Sequence, residues 1–170
     1  MSHIDDIKAK IYDRQDLVNQ VGEWRKENLK VVFTNGCFDL LHKGHVDYLS
    51  RAADKGDVLI VAVNSDASVS KLKGPHRPIQ DQSSRLWVLS SLACISAVTI
   101  FGEDTPMELI QLLKPDILVK GGDYTVNTIV GAREVQQNCG KVEIIPFLDG
   151  YSTSRLEDKM LRWDDSEHKK

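Results

Sequence analysis

No apolar run in the chain approaches the roughly 18 residues that a membrane-spanning helix needs, and the first residues carry no signal-like charged and hydrophobic pattern. The expectation is a cytoplasmic protein with no membrane partner. Cysteine is scarce. Cys37, Cys94 and Cys139 are odd in number, widely spaced and without metal-ligand pairing, which implies reduced thiols and no protein-held metal. The net charge of −3 is too small to draw the chain to nucleic acid or to an anionic lipid surface. Internal repeats and low-complexity segments are missing. No Gly-x-Gly-x-x-Gly follows the first apolar run, which argues against a redox dinucleotide enzyme. What remains is 170 residues, 41% of them hydrophobic, enough to fill one core.

That core is written as short apolar strands with helices between them. Val31-Val32-Phe33, residues 57–63, residues 97–101, Ile117-Leu118-Val119 and residues 142–145 read as strands. The second is almost continuously apolar, as a strand buried on both faces should be. Val46, Leu49, Ala52 and Ala53 follow the first strand at helical spacing, and residues 85–95 form a second apolar helical stripe. Thr105-Pro106-Met107-Glu108 has the form of a capping box and opens a helix that Pro115 ends. Further helices are expected at about 128–138 and from Ser152. Strands alternating with helices mean a parallel sheet covered on both faces. Residues 1–29 form a helical extension whose stripe of Leu17, Val18, Val21 and Trp24 suits a sheet edge or a partner, so a homodimer is expected. The first dozen residues are expected to fray. Residues 30–162 form the main domain, and 163–170 a polar tail.

Asn35-Gly36-Cys37-Phe38-Asp39-Leu40-Leu41-His42-Lys43-Gly44-His45 joins the first strand to the first helix of that domain. Ligands of open parallel sheets bind beyond the strands' carboxyl ends, where helix N-termini offer N–H groups to anions. Two imidazoles add donors there, and Gly44 lets a backbone approach closely. One histidine at a helix start is usually a cap or a solvated side chain. Two that bracket a glycine point to phosphate chemistry. Cys37 itself reads as a small packing residue.

Other polar residues collect at the same ends: Asn64 and Asp66 after the second strand, Lys120, Gly121 and Asp123 after the fourth, Ser152, Thr153 and Ser154 after the fifth. Lys71, Lys73 and Arg77 lie in a turn-rich loop stiffened by Pro75 and Pro78, and Arg85 follows it. These cations suit a phosphate chain, or form a solvated surface.

Thr34 to Asp39 followed by His42-Lys43-Gly44-His45 resembles the cytidylyltransferase-like branch of the nucleotidyltransferase superfamily, whose His-x-Gly-His signature the second block matches. Gly150-Tyr151-Ser152-Thr153-Ser154 resembles its second signature, a hydroxyl-rich helix start for the outer phosphates. Where a related branch has arginine, this chain has Glu157, with Arg155 two residues away. Leu72-Lys73-Gly74, Arg77-Pro78, Thr105-Pro106 and Val119-Lys120-Gly121-Gly122-Asp123-Tyr124 resemble the bacterial D-glycero-β-D-manno-heptose 1-phosphate adenylyltransferases. The likeness covers roughly residues 30–160, in the form without a fused sugar kinase.

The resemblance implies a Rossmann-like, doubly wound sheet of five parallel strands, with the site at the switch point beside the first strand. It implies transfer of AMP from ATP to a heptose 1-phosphate, giving ADP-heptose for lipopolysaccharide or surface-glycan precursors, and pyrophosphate. Cytidylation of glycerol 3-phosphate or a related alcohol phosphate is the alternative. His42, His45, Lys73 and Arg77 would be catalytic. Thr34, Asn35, Gly36, Cys37, Phe38, Asp39, Gly44, Ser152, Thr153 and Ser154 would hold the nucleotide. Asn64, Asp66, Lys120, Gly121 and Asp123 would hold the sugar phosphate, and Mg²⁺ would ride mostly on phosphates and water.

Overall fold

The computed structural model describes residues 2–167, with side chains through residue 160. Alternation along the strands organises everything else. In β1 (Val31–Gly36), Val31 and Phe33 join the core on one face and Val32 the core on the other. β2 (Val58–Asn64) divides the same way, Ile60 and Ala62 against Leu59, Val61 and Val63. With β3 (Ala97–Phe101), β4 (Ile117–Gly121) and β5 (Lys141–Ile145) they form an all-parallel sheet in the order β3-β2-β1-β4-β5. The chain winds outward from β1 on one side and then on the other, so the switch point lies between β1 and β4. The doubly wound, Rossmann-like architecture is as expected.

Helices close both faces. Leu17 and Val21 of α2 (Arg14–Lys26), Leu109, Ile110 and Leu113 of α6 (Met107–Leu113), and Ala132 and Val135 of α7 (Ala132–Gln137) cover Phe33, Ile60 and Leu118. Leu49 and Ala52 of α3 (Lys43–Ala53) and Leu89 of α5 (Gln82–Ser90) cover Val32, Leu59 and Val119. Each fully buried aliphatic side chain here stabilises the fold by roughly 1.5–3 kcal/mol.

The N-terminal segment is ordered rather than frayed. Ser2 caps α1 (His3–Lys8). The chain then runs along β3, with Tyr12 N donating to Val98 O at 2.9 Å and Val98 N to Lys10 O at 2.7 Å. The otherwise open edge of β3 is thereby covered. Because Leu17 and Val21 are spent inside the same core, α2 gives no reason for a second copy.

Other local expectations fail as well, among them the helix expected over 85–95, which ends at Ser90. Lys71, Leu72 and Lys73 end helix α4 (Asp66–Lys73) instead of lying in a loop, because the Ser65 hydroxyl accepts from Ser68 N and the helix continues to Gly74. The capping box at Thr105 does not form, since Pro106, which has no side-chain acceptor, takes the N-cap position. The helix expected at 128–138 is a 3₁₀ turn (Val126–Thr128) and α7, divided by Gly131 at φ 84°. Finally α8 (Thr153–Glu167) runs on through much of the segment expected as a polar tail; 168–170 lie outside the described residues. Among the described residues no helix is long and apolar enough to cross a membrane.

Candidate active site

β1 delivers Asn35 and Gly36 to the cleft, and the turn after it is pinned from behind. The side chain of Asp39 is 1% exposed and accepts from Ile79 N at 2.9 Å, Gln80 N at 2.8 Å and Arg77 Nε at 2.6 Å. Burial alone would push this carboxyl up; the bonds from Gln80, Ile79 and Arg77 outweigh it and hold it below the usual range. Arg85 is 1% exposed and ties the same turn down. It donates to Cys37 O at 2.7 Å, Gln80 O at 3.1 Å and Asp66 Oδ1 at 2.7 Å. The loop backbone is thus fixed before any ligand arrives.

α3 starts at His42. Its ring stacks on His45 at 3.9 Å between centroids, and Phe38 meets His45 edge-on at 5.6 Å. Both Nδ1 atoms are buried without a hydrogen-bond partner. Burial lowers the pKa of His42. It lowers that of His45 to about 4, with the charges of His42 and Lys73 acting in the same direction. His45 is therefore neutral at pH 7, a donor that brings no charge of its own. The glycine between them is required by space: a Cβ at Gly44 would lie 3.0 Å from Tyr151 Cβ and 3.1 Å from the His42 ring.

The cleft over the switch point has two arms. One consists of adjoining cavities of about 290 and 240 Å³ that share His45, Tyr48, Lys73, Phe147 and Thr153; His42, Gly44, Ser152 and Ser154 line its far end. The N-terminus of α8 opens there, where free N–H groups and the helix dipole favour an anion. Ser152 Oγ is the cap, accepting from Arg155 N at 3.2 Å. The second arm, about 380 Å³, lies past Asn35 and Lys120, residues that line both. Lys120 Nζ donates to Asn35 Oδ1 at 3.2 Å, and burial lowers its pKa.

Most of the expected site converges here: His42, Gly44, His45 and Lys73, the stretch from Asn35 to Asp39, Asn64, Lys120, Gly121 and residues 152–154. Four of the expected site residues, and the cations Lys71 and Arg85 beside them, do not reach the cleft. Thr34 is fully buried, its hydroxyl 2.6 Å from Tyr48 Oη, which donates to Val119 O at 3.3 Å; it supports the floor. Asp66 is taken by Arg85, and Asp123 stands exposed beyond β4, lining neither arm. Arg77 is claimed by two carboxylates, Asp39 and Glu157, and Lys71 by Asp104. Of the basic segment, Lys73 is the residue that lines the first arm.

Tyr48, Phe147 and Tyr151 are the wall residues that sequence reasoning missed. Tyr48 sits three residues past His45 on α3, which was a readable signal. Phe147 and Tyr151 come from an irregular segment with no periodicity to read. Glu157, at the position where a related branch has arginine, instead holds Arg77.

Residues 33–158 match the model of the family described as cytidylyltransferase-like. The chain belongs to the cytidylyltransferase-like family. Curated relatives of this cytidylyltransferase-like chain include the bifunctional protein HldE of Koribacter versatilis, 50% identical over 89% of this chain and 31% of that protein. The bifunctional proteins HldE of Trichlorobacter lovleyi and Paramagnetospirillum magneticum are 52% and 53% identical, over 92% and 90% of this chain and 32% and 31% of theirs. The chain spans about a third of the length of these relatives. Among solved structures it is similar to the lipopolysaccharide core biosynthesis protein of Thermoplasma volcanium, with TM-score 0.57 and 30% identity over 73% of this chain and 99% of that one.

Proposed function

We propose that the chain transfers AMP from ATP to D-glycero-β-D-manno-heptose 1-phosphate, releasing pyrophosphate and forming ADP-heptose. The observation that carries the chemistry is the convergence of the stacked histidine pair, Lys73 and the α8 N-terminus on one cavity, with His45 neutral at pH 7. The acceptor's phosphate oxygen, already ionised, attacks the α-phosphorus. That P–O bond forms as the bond to the α–β bridging oxygen breaks, and pyrophosphate leaves with the electron pair. No general base is needed, so catalysis reduces to alignment and charge stabilisation. His42 and His45 donate to the crowded α-phosphate, while Lys73 and the start of α8 meet the leaving phosphates.

Mg²⁺ enters this reading as part of the nucleotide substrate, held by phosphates and water. Asp39 is already saturated by its donors, and among the described residues no group of three or more His, Cys, Asp or Glu is placed to hold a metal.

The heptose is supported by the resemblance carried in Lys120 to Tyr124 and in Leu72 to Pro78, together with about 50% identity to HldE proteins. The cytoplasm, where ATP is made available, is the proposed compartment. A homodimer has lost its sequence support now that α2 packs within the chain; light scattering on the purified chain reads it directly. The deciding assay offers ATP or CTP against heptose 1-phosphate or glycerol 3-phosphate and follows pyrophosphate. ATP with the heptose is expected to be preferred. A preference for CTP, or for the polyol phosphate, would transfer the chain to the cytidylating alternative.

A further inference from the structure

The arm past Asn35 and Lys120 is untouched by the histidines and by α8. Its volume, about 380 Å³, falls within the roughly 300–1,000 Å³ of small-molecule sites. Its chemistry is unlike that of the first arm. Among the described residues Lys120, at the mouth, is its one lining cation, and Asp104 adds a carboxylate. That carboxylate is already paired with Lys71, so a polyphosphate would find Lys120 as its one cation in the arm. A neutral, polyhydroxylated body ending in a single phosphate suits it better, with its C–H surfaces on apolar Phe101 and Ile129.

The polar groups that line this arm have unused capacity. The Thr105 hydroxyl, which the sequence suggested as a cap, makes no hydrogen bond within the described residues. The Thr128 hydroxyl donates to Thr125 O at 2.8 Å and accepts from Thr125 Oγ1 at 3.4 Å, which leaves its oxygen one lone pair to accept with. Asp104 Oδ1 meets Lys71 Nζ at 2.5 Å, and Oδ2 is free to accept from a ligand hydroxyl. Lys120 lines both arms, so a phosphate bound beside it is shared between them.

We propose that this arm is the acceptor subsite, in which Thr105, Thr128 and Asp104 read the hydroxyls of the sugar while Lys120 holds its phosphate at the junction. The inference rests on the adenylyltransferase reading and deepens it. It replaces Asp66 and Asp123 with Thr105, Thr128 and Asp104 as the residues that select the acceptor. A small polyol phosphate would leave these groups unpaired, which is how the arm would discriminate against it.

The test is steady-state pyrophosphate release by the purified chain and its Thr105→Val and Thr128→Val variants, varying ATP and heptose 1-phosphate in turn. Both positions are exposed, and Thr128→Val gives up only the local bond to Thr125 O, so neither variant threatens the fold. Each valine is expected to raise the acceptor KM about 10-fold, the scale of one lost hydrogen bond, with ATP KM within about twofold of wild type. Thr105→Ser and Thr128→Ser should restore the acceptor KM. If the wild-type chain releases no pyrophosphate from these two substrates, the adenylyltransferase reading falls and takes this inference with it. If it does, but both valine variants keep the wild-type acceptor KM or raise that for ATP instead, the acceptor subsite alone is overturned.

Discussion

The two arms of the cleft are built differently, although they share a wall at Asn35 and Lys120. The arm beneath α3 and α8 stands on groups already spent on one another: Asp39 on Arg77, Ile79 and Gln80; Arg85 on Cys37 and Asp66; Thr34 on Tyr48. The arm beneath β3 and the 3₁₀ turn is lined by exposed threonines with spare bonding capacity. Where charge must be stabilised at the instant of reaction, donors have to be held in place beforehand. Where a substrate must be recognised, the groups have to be left available to it. Rigidity therefore sits on the side of the histidine pair and availability on the side of the threonines.

The largest expected effect comes from His45→Ala, which should lower turnover by roughly 10² to 10³ while the circular dichroism spectrum stays native. Near-normal turnover would remove the chemistry from the first arm. Next is Arg85→Met, which leaves Cys37 O and Gln80 O without their donor and Asp66 without its cation. Urea denaturation should show a loss of about 3 kcal/mol. A loss within about 0.5 kcal/mol would mean that the turn is not held from behind.

Two neighbouring cations sharpen the contrast further. Arg77→Ala strips the buried Asp39 carboxylate of its counter-charge and should cost about 2 kcal/mol in the same measurement. Lys73→Ala should leave stability within about 0.5 kcal/mol and lower kcat/KM for ATP roughly 10-fold. Equal stability losses in the two would erase the distinction between a residue that builds the site and one that faces it.

A further effect is on pH dependence. The unfolded imidazole of His45 takes up a proton near pH 6.5, the folded one only near pH 4. Between those values the unfolded chain binds more protons, so stability is complete above about pH 6.5 and declines as pH falls towards 4. Asp39, held below its ordinary value, contributes stability that is lost only in more acid solution, so its decline follows that of His45. Thermal melting of wild type and His45→Ala between pH 4 and 7 should show a shallower slope in the variant. Identical slopes would place the proton uptake elsewhere.

Much of this was legible in the chain itself. The strand alternation at Val31 to Phe33 and residues 58–63 specified two apolar faces, and hence a sheet covered on both sides. The histidine pair was equally legible, because residues three apart at a helix start must be neighbours, and they stack. Local signals misled where two outcomes compete over a few residues. Thr105 looked like a cap, yet Pro106 took that position; Lys71 to Lys73 looked like a loop before a proline-rich turn, yet the cap at Ser65 carried α4 through them.

By itself, then, the sequence determined the layering of the fold and the place of the imidazoles, since periodicity and short-range spacing act within a few residues; the strand order and its switch point followed from the family resemblance, not from periodicity. Only the tertiary structure decided which cation meets a ligand. Lys73 and Arg77 are four residues apart and both cationic. Arg77, however, is captured by Asp39 and Glu157, 38 and 80 positions away along the chain, while Lys73 lines the first arm of the cleft. A charge pairs with whatever closure of the fold brings within a few ångströms, where the Coulomb energy is large, and no local pattern records that distance.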